Sequence, residues 1–133
     1  MTAINLPDTV IAIKQAPHDR LFPHMAAVVH HGGAGTTAAA LRAGIPQVII
    51  PFFGDQPFWG RKIHQHQLGP AAIPHQKLNR DNLSQALEQA TQSDTIKQQA
   101  KHMGRKIRQE KGIQNAIDFI DTYTQNAKIK PMP

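Results

Sequence analysis

At 133 residues the chain suggests a single domain, long enough to bury a real core. Forty per cent apolar against 18% charged residues is ordinary globular composition, no run approaches the roughly 20 apolar residues of a membrane span, and the lack of cysteine excludes a disulfide framework or a thiolate metal site. Much of the net charge of +6 falls between Lys97 and Lys111, mixed with Asp94 and Glu110 and free of interleaved aromatics, so a solvated helix face explains it better than a nucleic-acid groove.

The N-terminal "MTAINLPDTVIAIK" has no basic start and no long apolar run, so no signal peptide is expected and a cytoplasmic protein is the default. Within it "TVIAIK", residues 9–14, is β-branched and apolar and predicts a strand. "QAPHDRLFPHM" carries two prolines and little periodicity, which predicts a loop with a helical turn around Arg20 to Phe22. "AAVVHH" predicts a second strand that ends where the glycines begin. "GTTAAALRAG" predicts a short helix capped by Thr36 or Thr37 and stopped by Gly44, with Pro46 beyond it.

"QVIIPFF" predicts a third strand, apolar enough to be buried on both faces. "GDQPFWGRKIHQHQLG" predicts a loop leading into a helix with Trp59, Ile63 and Leu68 as apolar contacts, and "PAAIP" a short fourth strand. Three helices then follow: one capped by Asn79 or Asp81 with Leu83, Leu87 and Ala90 on one face, one over 94–111, and one over 112–123. Alternation of this kind predicts an α/β fold, a Rossmann-like parallel sheet of three to four strands flanked by helices, with further helices at the C-terminus. Ligands in such sheets sit beyond the carboxyl ends of the strands. Both "HHGGAGTT" and "FFGDQ" fall there.

Gly32, Gly33 and Gly35 permit a sharp turn and close backbone approach to a ligand, and the helix that follows offers free N–H groups and a favourable dipole to an anion. The same residues equally suit a tight strand-to-helix corner chosen for packing. A P-loop would need a lysine where Thr36 and Thr37 stand, and the dinucleotide fingerprint lacks its acidic ribose partner after the next strand. His30 and His31 point to opposite faces if they end a strand, which argues against a shared metal. No metal site is expected.

Residues 16–60, "APHDRLFPHMAAVVHHGGAGTTAAALRAGIPQVIIPFFGDQPFWG", resemble the donor-binding signature of GT-B glycosyltransferases that use nucleotide sugars. The resemblance is nearest to the sterol 3-β-glucosyltransferase-like branch, is similar to bacterial enzymes that glycosylate lipophilic natural products, and continues through "LGPAAIPHQKL" to "IQNAIDFI". It implies that residues 1–125 are the C-terminal part of a GT-B donor domain, followed by a flexible tail over 126–133. It directs His31 at the donor diphosphate, together with Gly33, Ala34, Gly35, Thr36 and Thr37. Gln15, Pro17 and His18 fall beside the nucleobase, with Gln15 where plant relatives place a stacking Trp, and Ala39 stands where those relatives place a Glu for the ribose.

Asp55 and Gln56 match the acid–amide pair that binds the sugar hydroxyls, although Asp55 also suits a helix cap. Phe52, Phe53, Phe58 and Trp59 border the acceptor cleft in the family, with core filling as the alternative for some of them. The activity implied is inverting transfer of a hexose, glucose foremost, from a UDP-sugar to a hydroxyl of a lipophilic acceptor such as a sterol. No resident cofactor is implied, because the nucleotide sugar is a co-substrate. The family's general base lies in an N-terminal Rossmann-like domain, so no catalytic residue is expected in this chain and turnover is expected to need a separate N-terminal half or an oligomeric partner. A noncatalytic nucleotide-binding or partner subunit is the alternative. The cationic late helix also suits peripheral contact with an anionic membrane.

Overall fold

The computed structural model describes residues 4–128. It is an α/β fold, mostly helical, built on a small parallel sheet. In chain order a short helix α1 (His18–Leu21) and a 3₁₀ turn (Phe22–His24) lead into strand β1 (Val28–His30), helix α2 (Ala34–Ala43), strand β2 (Gln47–Ile49) and helix α3 (Gln56–Gln65). A second 3₁₀ turn (His75–Lys77) precedes helices α4 (Arg80–Gln92), α5 (Asp94–Gln109) and α6 (Gly112–Lys128).

β1 and β2 pair in parallel, with Val28 opposite Gln47 and His30 opposite Ile49. β2 is buried along its whole length, as a strand covered by helices on both faces must be. Val48 packs with Ile73, Ala86 and Ala90 under α4, while Ile49 packs with Ile63, Leu68 and Ala100 under α3 and α5. Burial of each large side chain in these clusters contributes roughly 1.5–3 kcal/mol. A third cluster, Phe22, Ala40 and Ile45, joins the 3₁₀ turn to the buried side of α2.

Local chemistry sets most of the boundaries. Gly44 closes α2 at φ 71°, its N–H bonding the carbonyls of Ala40 and Leu41. Asn79 and Asn82 exchange side-chain-to-backbone bonds across the first turn of α4, and Ser93 caps α5 through the Ile96 amide. α2 and α5 approach so closely that a Cβ on Gly104 would lie 2.6 Å from the Gly44 Cα.

Four expectations need correction. Residues 9–14 form no strand: Ile11 and Ile13 are 84% and 60% exposed, and no strand among the described residues pairs with their backbone. Strand propensity cannot build a strand without a neighbour to complete the ladder. The "PAAIP" segment is likewise not a regular strand, although the Ile73 amide bonds the Ile49 carbonyl at 3.0 Å and the His75 amide bonds Pro51 at 3.2 Å. It tracks β2 through these two bonds, with prolines at both of its ends removing donors. Among the described residues the regular sheet therefore has two strands rather than three or four.

Neither Thr36 nor Thr37 caps α2. Gly33 occupies the N-cap, with no side-chain bond there. Lastly, α6 continues through Lys128, so positions 126–128 of the expected tail are helical, and 129–133 lie outside the described residues. No helix among the described residues is long and apolar enough to cross a membrane.

Candidate functional site

The carboxyl ends of β1 and β2 open onto one surface, where the starts of α2 and α3 meet. Gly32 makes the junction. Its φ of 94° requires glycine, and a Cβ there would lie 2.8 Å from the Ile49 side chain and 3.1 Å from the Gln56 carbonyl oxygen. The glycine turn and the Asp55–Gln56 loop, 23 positions apart in sequence, are thus in direct backbone proximity. The two loops singled out by sequence meet on one surface.

At the turn itself, His31 is exposed and its ring lies over Gly33, where a Cβ would come within 3.1 Å of the imidazole. Gly35 faces open space, with nothing within 4 Å of the position its Cβ would take. The amides of the first turn of α2 have no intrahelical acceptors and carry the positive end of the dipole. Thr36 is half-buried. Thr37 is 1% exposed, and its Oγ1 has no hydrogen-bond partner among the described residues. An unsatisfied buried hydroxyl costs free energy, which a ligand acceptor or a water would recover.

His30 and His31 divide as strand alternation predicts. Their rings lie 6.4 Å apart, nearly perpendicular. His30 turns inward, its Nε2 2.7 Å from the Gln47 Oε1, and its Nδ1 accepts the Gly32 N–H at 3.0 Å. Burial holds its pKa below the ordinary value, against the pull of the Gln47 bond and with help from the neighbouring His31 and His18.

The second loop has a different character. Asp55 is exposed and forms no cap bond to α3; instead its Oδ2 accepts the Trp59 Nε1–H at 3.0 Å, leaving carboxylate lone pairs for solvent or a ligand. The cap alternative is therefore excluded. Gln56 is 6% exposed and braces the loop: its Oε1 accepts the Phe52 and Phe53 amides at 2.8 and 3.1 Å. Only its amide nitrogen is left to offer outward.

Phe52 and Phe53 are exposed, Phe52 stacking on His75, whereas Trp59 is half-buried against Phe58. An apolar cavity of about 240 Å³ opens beneath Phe58 and Trp59, floored by Ile63, Leu68 and Met103. On the first loop, Gln15 and Pro17 are exposed, and His18 stacks on Phe22 with ring centres 4.5 Å apart.

Three residues that the structure draws into cavities or buried bonds near these loops were not singled out by sequence reasoning. Gln47 heads an otherwise apolar run, and its burial as a polar residue was the available signal. Asp19 and Arg42 line a larger cavity of about 440 Å³ with Pro23, Ala39 and Arg108, between α1 and the far half of α2. No sequence pattern links Asp19 to Ala39. Asp19 and Ala39 thus share one cavity, while the free amides of α2 and the two loops converge at the glycine turn.

Superposition on solved structures places this fold in a class, the C-terminal domains of GT-B glycosyltransferases. The glycosyltransferase VinC in its complex with dTDP superposes at TM-score 0.71 with 30% identity, over 79% of this chain and 26% of that one. The spinosyn forosaminyltransferase SpnP, at 18% identity, shares the fold at TM-score 0.83 over 92% of this chain and 32% of its own. The chain belongs to the family of the erythromycin biosynthesis protein CIII-like C-terminal domain, whose model matches residues 2–113. Among full-length relatives, the sterol 3-beta-glucosyltransferase UGT80B1 of Arabidopsis thaliana is 46% identical over 91% of this chain. That of Yarrowia lipolytica is 49% identical over 88%. The chain spans 20% and 8% of their lengths.

Proposed function

We propose that this chain is the donor-binding portion of an inverting hexosyltransferase that moves glucose from UDP-glucose to a hydroxyl of a lipophilic acceptor such as a sterol. One observation carries the reading: the glycine turn, open at Gly35, stands in backbone contact with the Asp55–Gln56 loop. A ligand with an anionic middle and a polyhydroxyl end can therefore reach both.

In this reading the first-turn amides of α2 and the hydroxyls of Thr36 and Thr37 hold the diphosphate, and His31 donates to the charge that grows on it as the sugar leaves. The donors are N–H and hydroxyl groups, suited to an anion without a bridging cation. Asp55 accepts from sugar hydroxyls and Gln56 donates through its amide nitrogen. The nucleobase lies along Gln15, Pro17 and His18. Asp19, sharing a cavity with Ala39, supplies for the ribose the carboxylate that Ala39 lacks.

The exposed Phe52 and Phe53 and the cavity under Phe58 and Trp59 face the acceptor. The general base comes from an N-terminal domain or partner, so the chain alone binds donor weakly and does not turn over. The resemblance to sterol glucosyltransferases supports the sugar and acceptor, whereas the dTDP complex of VinC makes dTDP the competing nucleotide. Calorimetry with UDP, dTDP and GDP, beside a UDP-glucose hydrolysis assay, tests the reading. Binding of UDP ahead of the others without hydrolysis is expected; no nucleotide binding, or robust turnover, refutes it.

A further inference from the structure

We infer that His30, as the neutral Nε2–H tautomer, is a positioning residue that clamps the glycine turn from both ends, through Gly32 on one side and through Gln47 and the first turn of α2 on the other. The bonding pattern fixes the proton. The Thr37 carbonyl can only accept, so the amide nitrogen of Gln47, 3.3 Å away, faces it. The Gln47 oxygen must then face His30 Nε2 at 2.7 Å, and because that oxygen can only accept, Nε2 carries the hydrogen. The Gly32 N–H can only donate, and it reaches Nδ1 at 3.0 Å, so Nδ1 is bare.

Reversing the Gln47 amide would set oxygen against the Thr37 oxygen and lose both bonds. Gln47 is completely buried, which leaves it no alternative partner in water. One protonation state satisfies every member of the chain Gly32–His30–Gln47–Thr37. Its two ends are the two ends of the anion seat.

The clamp also explains how adjacent histidines take different tasks. With His30, the last residue of β1, held inward, the extended chain turns the next residue, His31, outward over Gly33. Protonating His30 would place an Nδ1–H against the Gly32 N–H, exchanging a bond for a clash of donors. The titratable groups that face it are His31, the next residue after β1, and His18 on α1, while β2 and α2 present the uncharged Gln47 and Thr37. Burial, with the electrostatic influence of these two neighbours beside it, keeps His30 neutral against the pull of the Gln47 bond.

Only the ligand readout of the test rests on the donor-site reading. Imidazole nitrogen shifts of the isotope-labelled full chain are followed from about pH 8 to about pH 5, together with the Gly32 amide. A protonated Nε2, a bare Nδ1 and a Gly32 amide that moves with the His30 titration are expected. An Nδ1–H tautomer, or a Gly32 amide indifferent to His30, overturns the clamp and needs no variant.

In parallel, UDP affinity is measured for His30→Leu and His30→Asn, since the Asn oxygen can stand where Nδ1 stands and does not titrate. His30→Leu is expected to weaken binding about tenfold and His30→Asn less than about threefold. Equal losses in the two variants contradict the clamp. If UDP binds none of the proteins, wild type included, the donor reading fails while the nitrogen shifts still decide the clamp.

Discussion

Replacing Gly35 by alanine should stabilise the fold and weaken the ligand, two effects of opposite sign. Gly35 sits in the first turn of α2 at negative φ, and nothing lies within 4 Å of the methyl that alanine would add. The fold therefore meets no clash, and the unfolded chain loses conformational freedom. The gain is at most about 1 kcal/mol and nearer half of that so close to a helix end. In a domain of this size it raises the melting midpoint by about 2–4 °C. The open space that makes the change harmless is, in this account, the space a diphosphate occupies. A methyl there holds the phosphates off the first-turn amides and removes one or two charge-assisted bonds, so the UDP dissociation constant rises about tenfold or more. Thermal unfolding and calorimetry on the same preparation read both numbers. A stabilised variant with unchanged UDP affinity would show that the turn is only a packing corner.

Asp55→Asn keeps an oxygen for the Trp59 Nε1–H but removes the charge, so UDP affinity should stay within about twofold while the added affinity of UDP-glucose over UDP falls; competition calorimetry separates the two. Gln56→Leu strands the Phe52 and Phe53 amides and should cost about 2–4 kcal/mol, read as a lower denaturant midpoint at unchanged slope. Because the folded-state pKa of His30 is lowered, its contribution to stability is complete above about pH 6.5 and is lost as pH falls through the lowered value; His30→Asn should flatten that part of the stability profile. UDP binding should be insensitive to a metal chelator, and loss of binding in its presence would require a bridging cation.

The helices were legible because their signals are local. Asn79, Ser93 and Gly44 each act within one turn of their own position, and each closes the helix boundary that its residue type favours. The sheet was legible only where both partners are in the described chain. "AAVVHH" and "QVIIPFF" pair, whereas residues 9–14, equally β-branched, have no neighbouring strand and stay exposed. The glycine turn and the Asp55–Gln56 loop stood out as separate stretches, but their backbone contact through Gly32 and Gln56 is a tertiary fact that spacing does not encode. The His30–Gln47 bond was out of reach for the same reason. A polar residue at the head of an apolar run discloses a buried partner without saying which, and the helix α2 between them hides the proximity.

The central claim is that the glycine turn seats the diphosphate of a nucleotide sugar and that His31 contacts it. A titration of UDP into the wild-type chain and into His31→Ala, in chelator, tests that claim most directly. His31 is exposed and braces no other residue through a hydrogen bond among those described, so the variant should keep its fold. The account predicts saturable wild-type binding weakened about tenfold by the substitution; equal affinities, or no binding by the wild type, would contradict it.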